Sequence, residues 1–360
     1  MERYFREDYE VHSVYDRKVP LNLVISSKGE IITAHKNIIN FYSNEFYNLE
    51  NTIKIKKENI RDILIINDND DLIIATDNNK LIIYKKNNNS KYFKYKEKII
   101  GKHINFRHII KLEERNLIYA FSLTNIYIID IDSFSINFNY SLPENLEIDP
   151  RTKPFIISQK KNIICFRAQK SLSFFDYKKM RIIKTIDLRK NAPFQIYKDP
   201  NEDFFYLITI VLSEKKKNDS YSKKLISYIE AIKLDLNLNF VEKSKNKINM
   251  PFCNEYELDD DYERDKYNYL NYYDHYCIYR CIVQNVKNYS FILHDYNGPP
   301  FEAEWFWEVT CKNGKFVKIE QKAYHYLSSD SSYIDFVYIK DKNKIISAFT
   351  DKLSDEITFD

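Results

Sequence analysis

Short, continuous apolar runs separated by polar linkers succeed one another along the chain, and five of them share a frame. Glu30-Ile-Ile-Thr-Ala34, Asp71-Leu-Ile-Ile-Ala75, Asn116-Leu-Ile-Tyr-Ala120, Asn162-Ile-Ile-Cys-Phe166 and Lys344-Ile-Ile-Ser-Ala348 each open on a polar residue followed by two aliphatics. Four of the five end in alanine, in a chain with nine alanines, so the frame marks a repeat. The first four start 41, 45 and 46 residues apart. Another apolar run precedes a segment across a short polar linker, as Ile63-Leu-Ile-Ile66 precedes the second and Phe336-Val-Tyr-Ile339 the fifth. A third run follows, as at Leu81-Ile-Ile-Tyr84, and then a more amphipathic fourth, as at Ile136-Asn-Phe-Asn-Tyr140. Polar linkers of this kind between apolar runs predict antiparallel hairpins.

Four short strands in ~40–45 residues make one blade of a β-propeller. The inner runs are continuous rather than alternating, as strands covered on both faces should be. An alanine at a fixed site would let neighbouring sheets approach closely. The predicted fold is all-β: one seven-bladed propeller of four-stranded antiparallel blades spanning 1–360. Its blades cover about 20–58, 59–102, 103–145, 146–190, 191–250, 269–322 and 323–360, with a further segment, 251–268, inserted between blades five and six. The last blade shows three strands, and the N-terminal segment 8–16 alternates in a strand-like way. Taking that segment as the missing outer strand closes the ring and removes an open sheet edge.

Two third-strand runs end in acid, Ile126-Tyr-Ile-Ile-Asp130 and Leu172-Ser-Phe-Phe-Asp176. On these residues the chain resembles the WD40-like β-propeller superfamily, whose repeat ends in Trp-Asp. The resemblance spans nearly the whole chain and implies the propeller fold. The second blade has Lys85 at that place, and the superfamily's Gly-His pair is missing, so the subfamily stays open.

Composition agrees with a folded β protein. Hydrophobic residues make up 44% and aromatic residues 16%, with 30 Tyr and 24 Phe, which supplies a full core and favours strands. The four glycines, Gly29, Gly101, Gly298 and Gly314, fit no phosphate-cradling spacing. The longest apolar run, Phe204 to Leu212, is far shorter than the ~20 residues of a membrane-spanning helix. The start carries no secretory signal, and five cysteines form an odd, sparse set, so a reduced, cytoplasmic protein is expected. The net charge is +3, from 55 basic and 52 acidic residues, which argues against broad nucleic-acid affinity; a nucleic acid stays a minor candidate partner.

Departures from the repeat mark candidate binding loops. Ser213 to Lys224 (SEKKKNDSYSKK) joins strands two and three of blade five, Pro251 to His275 joins blades five and six, and Asp295 to Glu304 joins strands two and three of blade six. All three would lie on the face that also carries the blade-to-blade connections, here the top. Either the loops have grown without a role, or they form a partner site. The second insertion is acidic, with Glu257, Asp259, Asp260, Asp261 and Glu263 at its centre, and it lacks the glycine of an EF-hand loop. Blade four is basic: twelve Lys or Arg lie between Arg151 and Lys190 against Asp176 and Asp187, and Arg167 and Lys170 fall toward the top. Lys215, Lys216 and Lys217 add basic charge in the first insertion.

Catalytic and metal signatures are weak. His275, Cys277 and Cys281 on one strand lack the turn geometry of a zinc knuckle, and no nucleophile signature accompanies His294-Asp295. No catalytic, cofactor or metal residue is assigned, and no cofactor is expected. The expected function is a non-enzymatic protein-interaction scaffold, with Lys215, Lys216, Lys217, Glu257, Asp259, Asp260, Asp261, Glu263, Arg167 and Lys170 on its partner-binding face. The alternative is a propeller enzyme, or a metal- or sugar-binding protein, with its site at the central channel mouth. His35, Asp77, Arg167 and His294 are the candidates there. A third reading is a structural subunit of a larger complex.

Overall fold

The computed structural model describes residues 22–43, 48–87, 91–101, 104–112, 116–149, 153–158, 161–168, 171–187, 194–198, 204–216, 223–241, 246–249, 280–285, 290–297, 303–312, 315–326, 333–339, 344–349 and 357–358. Among these residues there is no helix, and the strands form antiparallel sheets in sequence order. The first sheet holds β1 (Asn22–Ile25), β2 (Ile31–His35), β3 (Ile38–Tyr42) and β4 (Leu49–Lys54). The second holds β5 (Ile60–Ile65), β6 (Leu72–Thr76), β7 (Lys80–Lys86) and β8 (Tyr92–Ile99). The third holds β9 (His108–Lys111), β10 (Leu117–Phe121), β11 (Asn125–Asp130) and β12 (Ile136–Ser141). The fourth holds β13 (Phe155–Ser158), β14 (Ile163–Ala168), β15 (Ser171–Asp176) and β16 (Arg181–Asp187). The fifth holds β17 (Phe194–Lys198), β18 (Phe204–Lys216), β19 (Lys223–Asp235) and β20 (Asn246–Asn249). The sixth holds β21 (Arg280–Asn285), β22 (Ser290–Asn297), β23 (Ala303–Lys312) and β24 (Lys315–Tyr326). The last described sheet has three strands, β25 (Tyr333–Ile339), β26 (Lys344–Phe349) and β27 (Ile357–Thr358). Among the described residues, no sheet closes on itself. The segment 8–16, expected as a fourth strand here, lies outside the described residues.

First strands of successive sheets are neighbours: β1 lies beside β5, β5 beside β9, β13 beside β17 and β17 beside β21, while β1 also lies beside β25. The core sits between the sheets. Leu72 and Ile74 of β6 pack toward the first sheet with Ile32, Ala34 and Phe41. Ile73 and Ala75 of the same strand pack toward the third sheet with Ile109, Ile118 and Ile129. On β14, Ile164 and Phe166 face the third sheet, and Ile163 and Cys165 face the fifth. Both side-chain rows of a second strand are thus buried, which is why these strands read as unbroken apolar runs. Each fully covered Ile, Leu or Phe contributes about 1.5–3 kcal/mol relative to exposure.

The alanine frame does not keep one face. Ala34 faces forward into the second sheet and Ala75 forward into the third, whereas Ala120 faces backward, in the same cluster as Ala75. The second-to-third turns also differ: His35 pairs with Ile38 across two residues, while Phe121 pairs with Ile126 across four. Two alanines from opposite sides share one interface, instead of one alanine marking each.

The acids ending the third strands are turn caps. The Asp130 carboxylate accepts the Ser133 N–H at 2.7 Å, and Asp176 accepts those of Lys178 and Lys179 at 3.0 and 2.9 Å. Asp235, which the sequence reading passed over, does the same for Asn237 and Asn239 at 2.8 Å each. Hydrogen bonds from Ser133 hold the Asp130 carboxyl below the usual carboxylate range, and those from Asn239 do so for Asp235. A short acceptor that folds back on the next two or three N–H groups is what such a turn needs.

Side chains latch neighbouring sheets on the side of the first-to-second turns. Ser27 donates to Asp70 through N–H at 2.6 Å and through Oγ at 3.0 Å. Buried Lys86 pairs with Glu30 of the first sheet and, at 3.6 Å, with Asp70. Its Nζ also lies 5.4 Å from the centre of the Tyr92 ring, which stacks on Phe41. Lys111 donates to the carbonyl of Ile66, and Lys161 to that of Leu236 at 3.1 Å.

The described residues of two of the three insertions are strand. β18 and β19 pair residue for residue out to Lys216 and Lys223, so half of the expected loop from Ser213 to Lys224 lies in a lengthened hairpin. β22 and β23 likewise pair out to Asn297 and Ala303. A polar two-stranded ribbon satisfies its backbone internally, and its composition alone does not distinguish it from a loop.

Candidate functional site

The starts of the first strands and the second-to-third turns lie on one side, as backbone hydrogen bonds between them show. Ile60 N–H donates to Lys36 at 2.5 Å, Ile55 to Asn37 at 2.8 Å, Asp77 to Asn59 at 2.9 Å and Asp149 to Arg167 at 2.9 Å. On this side, three successive sheets contribute charged groups to one cluster, here called the mouth.

Asp62 is its centre. It lies on β5 opposite Ala75, directly after a bulge whose extra residue is Arg61. The carboxylate is fully buried. Its Oδ1 accepts the Ile63 N–H at 2.8 Å and pairs with Lys153 Nζ at 2.6 Å. Its Oδ2 accepts the Ile109 N–H at 2.7 Å and stands 3.9 Å from His108 Nδ1. One side chain thereby joins the second, third and fourth sheets. The same register position holds Asn22, opposite Ala34, and Asp335, opposite Ala348. Asn22 Nδ2 reaches the next sheet too, donating to the Arg61 carbonyl at 3.1 Å.

Two arginines flank Asp62. Both are half-buried, and burial is the larger cause that lowers each guanidinium from its ordinary range. Asp77 offsets this for Arg61; for Arg107 the second cause is the like charge of Arg61. Asp77 is itself held by Asn59, through N–H at 3.0 Å and Nδ2 at 2.8 Å. His35, at the end of β2, is pushed down to about 4 by burial and then by the charge of Lys36, so it is neutral near pH 7. Between the free-imidazole value of 6.5 and about 4 the unfolded chain binds the extra proton, so His35 lowers stability as pH falls through that window. Urea melts of His35→Gln against wild type should diverge least at pH 7.5 and most near pH 4. Parallel pH profiles would show that His35 is not the group responsible.

The residues expected at a partner face are placed only in part. Arg167 is buried, with Nε 3.5 Å from buried Asp149, so its charge is committed inside the fold instead of standing on an exposed basic edge. The cause is local: Ile148 bridges to Ala168 and draws the incoming segment over Arg167. Lys215 and Lys216 end β18, in register with Lys224 and Lys223. Lys170, Lys217, Glu257, Asp259, Asp260, Asp261 and Glu263 lie outside the described residues. Of the candidates for a central-mouth site, Asp77 bears on Arg61, Arg167 is paired elsewhere with Asp149, and His294 lies in β22 opposite Arg280. Sequence reasoning missed Asp62, Arg61 and Arg107. The available signal was an acid inside the apolar run Ile60-Arg-Asp-Ile-Leu-Ile65, with a polar residue at the matching place in other units.

Among the described residues, no group of three or more His, Cys, Asp or Glu side chains is placed to hold a metal ion. Nor, among them, is any helix long and apolar enough to cross a membrane. Neither a family model nor a curated protein matches the sequence. Solved structures do match in shape. A chain of the crystal structure of a mitotic checkpoint complex superposes with a TM-score of 0.55 at 8% identity, over 96% of this chain and 90% of that one. With the four-stranded antiparallel sheets, this likeness supports a β-propeller-type repeat fold; at that identity it carries no more than the fold.

Proposed function

We propose that the chain is a seven-bladed propeller serving as a non-enzymatic protein-interaction scaffold. Ring closure is supported by the neighbouring of β1 and β25 and by Asp335, which occupies the register position from which Asn22 and Asp62 each clasp the following sheet. The segment 8–16 is then the outer strand of the last blade. The observation that carries the scaffold reading is the commitment of the mouth's central carboxylate to structure: each Asp62 oxygen accepts a backbone N–H, and one also holds Lys153. A carboxylate so engaged holds sheets together and is not poised as a base.

The partner face of this reading is the top of blades four to six. It comprises the basic hairpin end at Lys215, Lys216 and Lys217, Lys170, and the acidic segment 251–268. Opposed charges on adjacent loops set partner choice and encounter rate more than affinity. The likeness to a chain from a multi-protein assembly agrees with this reading. Deleting 254–268 from the full chain should remove a cross-linked protein partner while leaving the thermal melt within a few degrees of wild type. An unchanged partner set from a folded deletion variant would overturn the assignment of this face.

A further inference from the structure

β8 is an open edge. The second sheet runs β5-β6-β7-β8, and among the described residues no strand pairs with the outer side of β8. Such an edge leaves every second N–H and C=O without a ladder partner. In the first four sheets β8 is the longest outer strand, eight residues against six, six and seven for β4, β12 and β16. It also exposes more large apolar side chains than any of those: Phe93 is 48%, Tyr95 57% and Ile99 60% exposed. The rings are held in place. Phe93 stands opposite Lys85 in register, and the Lys85 Nζ lies 3.7 Å from the centre of the Tyr95 ring. Tyr95 is the extra residue of a bulge between Lys94 and Lys96, a device that re-aims a side chain. Lys96 ties the strand to the third sheet, donating to the Asp132 carbonyl with its Nζ 4.8 Å from the centre of the Phe134 ring. Around these rings the charge is one-sided: Lys91, Lys94, Lys96 and Lys98 stand against Glu97. Glu97 pairs with Lys94 at 3.3 Å and Lys80 at 3.8 Å, while Lys91 and Lys98 meet no acid among the described residues.

We propose that β8 is a docking strand for an extended acidic peptide of a partner protein, which adds to the second sheet as a fifth strand. Backbone groups along Tyr92–Ile99 supply the ladder. Apolar side chains of the peptide lie on Phe93, Tyr95 and Ile99, and its carboxylates meet Lys91, Lys94 and Lys98. Charge selects this occupant. A second copy of β8 would set net positive charge against net positive charge, and like charges across a ladder repel. A nucleic acid would answer the lysines and stack on the rings, but it would leave the edge N–H and C=O groups unpaired. This edge goes beyond the scaffold reading and does not rest on the loops of blades four to six, so the two fail separately.

The test is fluorescence anisotropy of the full chain with a labelled, end-blocked peptide of about eight residues that alternates Glu and Val, the length of β8. Binding should saturate with a Kd below about 1 mM, and amide exchange should slow in β8 but not in β12. The same peptide N-methylated at every residue keeps its charge and loses every N–H, and it should bind about tenfold or more weakly. Lys91→Glu combined with Lys98→Glu should weaken binding about tenfold or more, and Phe93→Ser by a few-fold. All three side chains are exposed, so these variants should melt within a few degrees of wild type. The N-methylated peptide acts on the unaltered chain, so the outcome does not depend on a variant folding. Binding that does not saturate, equal binding of the N-methylated peptide, or unchanged exchange in β8 would overturn the site. Tighter binding of a thymidine octanucleotide than of the peptide would assign the edge to a nucleic acid instead, and a dimer of the free chain lost in Phe93→Ser would assign it to a second copy.

Discussion

Asp62→Ala should lower stability by about 3–5 kcal/mol, the range for removing one partner of a buried, hydrogen-bonded charge. The loss has distinct parts. The Ile63 and Ile109 N–H groups lose a buried acceptor, at about 1–3 kcal/mol for each one left unsatisfied. Lys153 loses its partner but is more than a third exposed, so it rehydrates. Asp62→Asn keeps one acceptor oxygen and should fall between the alanine variant and wild type. Urea unfolding by tryptophan fluorescence gives the ranking, and amide exchange gives the location, with Ile109 losing protection first. An alanine variant as stable as wild type would mean that the three sheets do not depend on this carboxylate.

Lys86→Ala should be nearly as damaging, at about 3 kcal/mol, on the opposite side of the molecule. Its ammonium is buried between Glu30 and Asp70, and Asp70 is 2% exposed, so the variant strands acids that water barely reaches. Lys86→Met separates charge from packing. It preserves a stem against the Tyr92 ring but supplies no ammonium, and it should recover less than half of the loss. Tyr92 reports on the same place. Burial, and then the charges of Glu30, Asp70 and Asp71, hold its phenol far above the ordinary range, so it should resist ionisation through a spectrophotometric alkaline titration until the fold is lost. A methionine variant equal to wild type would show the ion pairs to be ornamental.

The inner strands were legible because both of their faces are buried. The repeat segment Lys344 to Ala348 falls within β26, and the run Ile126 to Asp130 within β11, which adds only Asn125. Outer strands carry no such constraint. The fourth strand of the fifth sheet, β20, is the polar Asn246–Asn249, while Phe240 makes a lone bridge to Leu234. Phe240 is largely exposed there, so its apolar character marked no buried strand. Nor does the shared frame show that Ala120 turns to the same interface as Ala75. Asp62 was missed although it is an acid within an apolar run, and nothing in the spelling of Ile60-Arg-Asp62 announces a bulge. Arg167 was misjudged for a related reason: a charged residue at a strand end reads as solvated unless the segment folding over it is known.

The fifth sheet has a mechanical consequence. β17 pairs with β18 only between Phe205 and Thr209, and β20 with β19 only between Tyr228 and Ala231, while β18 and β19 continue together to Lys216 and Lys223. Five paired residues, Leu212 to Lys216 with Ser227 to Lys223, thus run past both flanking strands, about 17 Å at the usual rise per residue. Such a ribbon is a boom: its end stands off from the sheet by a distance set by strand length, and a pull on that end loads only two strands. Shortening the boom by two residues on each side would draw its end inward by about 7 Å while preserving the pleat.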